Sequence, residues 1–137
     1  MGLIPDSSVL IAAERGGQTV ADLLEQILSA NGDEEAAIAS VGLVELTHGI
    51  YRSNTPARRT RREEFVKELL RDVVVYPLTQ QTALLAGQID GEQQAKSITI
   101  PFQDLLIGAT ALQPGYTVVT GNPRHFRMIP NLDVRQF

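Results

Sequence analysis

The sequence predicts an α/β protein built around a central parallel β-sheet. Two observations carry that reading. Short apolar or β-branched runs alternate with stretches of helical periodicity along the whole chain, and such alternation implies parallel strands covered by helices on both faces. In addition, 137 residues with 43% hydrophobic and 20% charged content suit one domain, residues 1–137, with its own core.

The elements follow in order. Gly2 to Pro5 reads as a short buried strand ending at Asp6. Ser7 or Ser8 is placed to cap a helix through about Glu14, which Gly16-Gly17 breaks. Val20, Leu23, Leu24, Ile27 and Leu28 recur at helical spacing until Asn31-Gly32. Ala36 to Ala39 is a second strand, and Ser40 a candidate cap for a helix carrying Leu43, Leu46 and Ile50 on one face. After the Ser53–Pro56 turn, proline opens a helix that runs through an arginine cluster to Leu70. Val73 to Tyr76 is β-branched and strand-like. Thr79 is suited to cap a helix bearing Leu84, Leu85 and Ile89, with Gly91 weakening its end. Pro101 opens a helix with Leu105, Leu106, Ala109 and Leu112 inward, closed by Pro114-Gly115. Tyr116 to Thr120 is a further buried strand, Gly121-Asn122-Pro123 a turn, and Leu132 to Val134 an edge strand.

Three carboxylates interrupt apolar stretches: Asp6, Glu45 and Asp104. A buried charge needs a partner, because isolated it costs several kcal/mol or neutralises itself. Ligands of parallel α/β sheets bind beyond the carboxyl ends of the strands. Asp6 follows the first strand, Glu45 lies just past the second, and the Thr120-Gly121-Asn122 turn follows the Tyr116–Thr120 strand, so all three share one rim. Asp104 falls in the first turn of the helix before that strand. Two readings follow. Converging acids make a pocket for a hard divalent cation, whereas separate acids cap helices or face water.

Composition narrows the classes. The absence of cysteine excludes disulfides, thiolate zinc sites and cysteine nucleophiles, and fits a cytoplasmic location. No apolar run approaches the roughly 18 residues of a membrane span, and the start lacks a signal-peptide pattern. Net charge is −4, yet Arg52, Arg58, Arg59, Arg61, Arg62 and Lys67 gather half of the 12 basic residues into one stretch. That patch suits a polyanion. It also reads as a solvated helix face paired with Glu63, Glu64 and Glu68.

Four motifs in order resemble the PIN-domain nucleases, in particular the VapC-type toxins of bacterial toxin–antitoxin pairs. They are Asp6-Ser7-Ser8-Val9-Leu10-Ile11-Ala12, then Glu45 in Val44-Glu45-Leu46-Thr47-His48-Gly49-Ile50, then Asp104 in the segment from Pro101 to Leu112, and finally Val119-Thr120-Gly121-Asn122-Pro123-Arg124-His125-Phe126 followed by Ile129-Pro130-Asn131-Leu132. The resemblance spans essentially the whole chain. It implies a three-layer α/β/α sandwich, a Mg²⁺- or Mn²⁺-dependent endoribonuclease acting on structured RNA (tRNA or rRNA), a homodimer, and a cognate antitoxin encoded alongside.

Carried over residue by residue, the resemblance implies metal ligands at Asp6, Glu45 and Asp104, with Asn122 completing the catalytic set. Many relatives hold a fourth acid where Asn122 or His125 stands here, so a second metal site is weakened. Asn122 offers a neutral carbonyl oxygen, and His125 a nitrogen that Mg²⁺ disfavours and Mn²⁺ accepts better. Ser8, Thr120, Arg124 and His125 are candidates for supporting a ligand or contacting substrate, Ser8 also being an ordinary cap. Arg58, Arg59, Arg61 and Arg62 are candidates for contacting RNA or the antitoxin. Two alternatives remain from the residues: a PIN-like binding module without catalysis, and a phospho-accepting receiver-like domain. Neither Lys67 nor Lys96 follows a strand, as the receiver would need.

Overall fold

The structure, a computed structural model, describes residues 2–32 and 34–137. Five strands form one sheet: β1 (Gly2–Pro5), β2 (Glu35–Ala39), β3 (Val74–Tyr76), β4 (Thr117–Thr120) and β5 (Val134–Gln136). Six helices join them: α1 (Ser7–Arg15), α2 (Val20–Asn31), α3 (Ser40–Tyr51), α4 (Pro56–Asp72), α5 (Gln80–Gln94) and α6 (Phe102–Leu112), with a 3₁₀ turn at Phe126–Met128. The strand order is β3-β2-β1-β4-β5, and every pairing is parallel. The chain winds one way from β1 to β3, then crosses back to place β4 on the other side of β1. The β1–β4 pair is therefore the switch point of the sheet, where such folds open a crevice.

Side chains alternate across the strands and divide the core in two. Leu3, Ile38 and Val119 face α1, α2, α3 and α4, where they meet Leu10, Leu23, Ile27, Leu46, Phe65 and Leu69. Ile4, Ala37, Ala39 and Val118 face α5, α6 and the 3₁₀ turn, against Ala86, Ile89, Leu105, Ile107 and Phe126. Each fully buried Leu, Ile or Phe contributes about 1.5–3 kcal/mol, so both layers are firmly seated on the sheet. Among the described residues no helix is long and apolar enough to cross a membrane.

Several local expectations shift. The N-cap of α1 is Asp6 rather than a serine: its carboxylate accepts the Val9 amide at 3.1 Å. Ser40 is the first residue of α3 and not its cap. Its hydroxyl accepts the Leu78 amide at 3.1 Å instead, tying α3 to the chain leaving β3. α5 runs through Gly91 to Gln94, and Leu84 on it points outward, 68% exposed. The last strand begins at Val134, later than the apolar Leu132 suggests. Pro56 and Thr79 behave as anticipated: Pro56 opens α4, and Thr79 Oγ1 accepts the Thr82 amide at 3.1 Å.

Gly108 decides how α6 sits. A Cβ there would collide with Cδ1 of the buried Ile129, so a larger residue would force that side chain to shift. Gly108→Ala is expected to cost about 1–3 kcal/mol by overpacking. Removing Cδ1 with Ile129→Val should relieve part of that cost. In denaturant unfolding the double variant should therefore lose less than the sum of the single variants; strict additivity would show that the two groups do not press on each other.

Candidate active site

The crevice at the switch point is organised by Asp6. Its backbone amide continues the sheet by donating to the Val119 carbonyl at 3.0 Å, so the residue leaves β1 fixed against β4. The side chain is buried, 6% exposed, yet fully partnered. Oδ1 accepts from Ser8 Oγ at 2.7 Å and from the Val9 amide at 3.1 Å. Oδ2 accepts from Thr120 Oγ1 at 2.7 Å. Thr120, wholly buried at the end of β4, in turn accepts the Asn122 amide at 3.0 Å. Ser8 and Thr120 thus lock one carboxylate conformation, and Thr120 acts on Asp6 rather than pointing into the crevice.

Asp104 sits in the first turn of α6, on the opposite layer of the sandwich. Its Oδ2 lies 2.9 Å from His125 Nδ1. An ionised carboxylate can only accept, so Nδ1 carries the proton and Nε2 is the nitrogen left for other contacts. Burial pushes the Asp104 pKa up; the His125 hydrogen bond pulls it down, and the negative charges of Asp6 and Glu45 push it further up. Asp104 therefore feels the two acids carried by the opposite layer. Glu45, on α3, borders a recess between α1, α3 and α4, together with Ile11, Leu46 and Phe65. Asn122 and Arg124 are exposed on the turn beyond β4.

The acids do not form a closed cage. Among the described residues, no three acid or histidine side chains stand close enough to enclose an ion. The donor set still suits a hard cation: it is all oxygen, partly desolvated, and leaves excess negative charge on Asp104. Mg²⁺ in particular keeps several waters and needs few protein ligands.

The arginine cluster separates into distinct roles. Arg62 donates to the buried Glu14 at 2.9 Å, to the Gly49 carbonyl at 2.7 Å and to Ser53 Oγ at 2.8 Å, clasping α1, α3 and α4 together. Arg59 pairs with Glu63 at 3.2 Å and stacks 4.7 Å over Tyr51. Arg61 reaches the far oxygen of Glu14 at 3.5 Å, and the Arg58 guanidinium donates to the neutral Asn54 at 2.9 Å. Glu14 was legible only as a helix end. The available signal was an acid and an arginine, Glu14-Arg15, directly before a double-glycine break.

An acid whose folded pKa lies above its unfolded value binds its proton more tightly when folded, so its contribution favours folding below the ordinary value of 3.8 and is lost as the pH rises through the folded pKa. Asp104→Asn removes that penalty. With divalent ions chelated, its melting temperature should match or exceed wild type at neutral pH, and the gap should close as the pH falls toward 3.8. A lower melting temperature for the variant at neutral pH would mean that the His125 bond outweighs burial.

The PIN domain family model matches residues 3–131. Ribonuclease VapC1 of Rickettsia felis is 31% identical over 134 residues, 98% of this chain and 95% of that protein. The tRNA(fMet)-specific endonuclease VapC of Salmonella typhimurium is 33% identical over 101 residues, 73% of this chain and 74% of that protein. Among solved structures, VapBC2 of Rickettsia felis bound to a promoter DNA fragment superposes with a TM-score of 0.83 at 23% identity, covering 100% of this chain and 99% of that one. DNA-bound VapBC of Salmonella typhimurium gives 0.83 at 24% identity, covering 99% and 98%. The five-stranded parallel sheet and its two helical layers are thus those of a PIN domain, and a receiver-like reading is set aside. The chain belongs to the PIN-domain family, within its VapC ribonuclease group.

Proposed function

We propose that the protein is a metal-dependent endoribonuclease, the toxin of a toxin–antitoxin pair, cleaving structured RNA of the tRNA or rRNA class in the cytoplasm. The observation that carries this reading is geometric: the buried Asp6 carboxylate is fixed at the β1–β4 switch point by Ser8, the Val9 amide and Thr120, and Asp104 is held by His125 on the opposite layer, its pKa raised first by burial and further by the charges of Asp6 and Glu45. Acids so arranged suit a cation more than one another. Asp6, Glu45 and Asp104 would hold Mg²⁺ or Mn²⁺, which when bound supplies an activated water and offsets charge on the phosphoryl oxygens.

The remaining steps belong to the chain. Ser8 and Thr120 keep the Asp6 carboxylate from rotating out of the site. His125 fixes Asp104 through Nδ1 and turns Nε2 toward substrate. Asn122, exposed on the turn beyond β4, orients substrate as a neutral acceptor, and Arg124 nearby meets a phosphate. Hydrolysis adds the water oxygen to phosphorus and breaks the bond to the leaving ribose oxygen, which takes up a proton.

A cognate antitoxin is part of the same proposal, supported by the VapBC complexes among the structural relatives. So is a homodimer. The outward side of α3 presents Val44, 67% exposed, and Tyr51, 69% exposed, along a shallow groove with Leu43 and Thr47. Light scattering should give twice the 15.0 kDa chain mass, and Val44→Asp should shift it toward the monomer; a monomeric wild type at micromolar concentration would remove the dimer from the proposal.

The test of activity is cleavage of total cellular RNA in Mg²⁺, Mn²⁺ and EDTA. EDTA should abolish it, Asp104→Asn should reduce it by about 100-fold or more, and Thr120→Val by about 10–100-fold through loss of Asp6 orientation. Cleavage indifferent to EDTA and to Asp104→Asn would overturn the metal assignment. Absence of any metal-dependent cleavage would instead favour a binding module, the reading that Asn122 and His125 in place of a fourth acid would support.

A further inference from the structure

A positively charged recess lies next to the one that Glu45 borders. Arg15, the last residue of α1, and Arg58, Arg61 and Arg62 on successive turns of α4 line a hollow of about 350 Å³ with no other residue type in its wall. Glu14 offsets one of these four charges, being bonded to Arg62 and approached by Arg61. Among the described residues no carboxylate lies within 4.0 Å of the Arg15 or Arg58 guanidinium. The recess adjoins the one bordered by Glu45, the two sharing Arg15 and Arg62 as a common wall.

We propose that Arg15, Arg58 and Arg61 form a subsite for a non-scissile backbone phosphate of the RNA. The inference rests on the nuclease reading above and extends its binding surface. Guanidinium forks match the oxygens of a phosphodiester, and several converging on one hollow favour an anion over a neutral group. Arg62 serves as the buttress: its bonds to Glu14, Gly49 and Ser53 hold the floor on which the other three stand. A strand with one phosphate in the hollow runs past Glu45 toward the switch-point acids. Arg15 was absent from the basic cluster legible in the sequence, because it is separated from Arg58 by the whole of α2 and α3.

The test uses a fluorescein-labelled 20-nucleotide RNA of mixed sequence, followed by anisotropy in EDTA across a salt series. The Arg15→Gln/Arg58→Gln variant should bind at least 10-fold more weakly than wild type near 0.1 M salt, and its salt slope should fall by roughly one. Lys96→Gln, on the opposite side of the sheet, is the control for loss of a remote positive charge and should change neither value. Melting temperatures of all three should agree within a few degrees, and in cleavage assays the double variant should raise KM with little change in kcat. Unchanged affinity and slope in a double variant, with cleavage by the wild type intact, would overturn the subsite and leave the nuclease reading standing. So would retained RNA binding together with loss of neutralisation by the co-expressed antitoxin, which would assign the recess to an acidic segment of that partner. A wild type that neither binds nor cleaves RNA would overturn the nuclease reading and the subsite with it.

Discussion

The architecture depends on how the chain treats a single buried carboxylate. Asp6 leaves β1 at the point where the sheet reverses its winding, and its amide and both carboxylate oxygens are bound within the next turn or across to β4. An unpartnered charge at that depth would cost several kcal/mol. The three donors that prevent this also start α1 and join the two central strands at their ends. The residue best placed for chemistry is thus a folding element as well. Its environment is polar by construction: Ser8, the Val9 amide and Thr120 meet both carboxylate oxygens.

The other two acids differ in kind. Asp104 has one partner, His125, and remains under pressure from burial and from its acidic neighbours. Glu45 is carried on α3, whose position is set by Arg62 clasping the end of that helix to α1 and α4. One acid is locked, one is strained electrostatically, and one is held indirectly through its helix.

Much of the fold was legible because local chemistry and global pattern agree. β1 ends at Pro5, α4 opens at Pro56, and α5 is capped by Thr79, each as its residue type dictates. The rim shared by Asp6, Glu45 and the Thr120 turn followed from strand order alone. The failures have physical causes. Ser7 and Ser8 looked like caps because serine commonly caps, but the Asp6 carboxylate accepts two hydrogen bonds there and is the stronger acceptor. The arginine cluster looked uniform because side chains four apart share a helix face. Which of them meets a buried acid depends on Glu14, contributed by a distant segment that no local window connects to α4.

The division of the core has a mechanical consequence. Asp6 and Glu45 belong to the helices packed on one side of the sheet, whereas Asp104 and His125 belong to those on the other. The sheet between them is five parallel strands with both faces covered, a stiff wall with little freedom to bend. The gap between the acids is therefore a caliper whose jaws are whole layers, not side chains. Widening it requires sliding one layer of helices along the sheet, and packing as close as that of Gly108 against Ile129 resists such sliding far from the crevice itself.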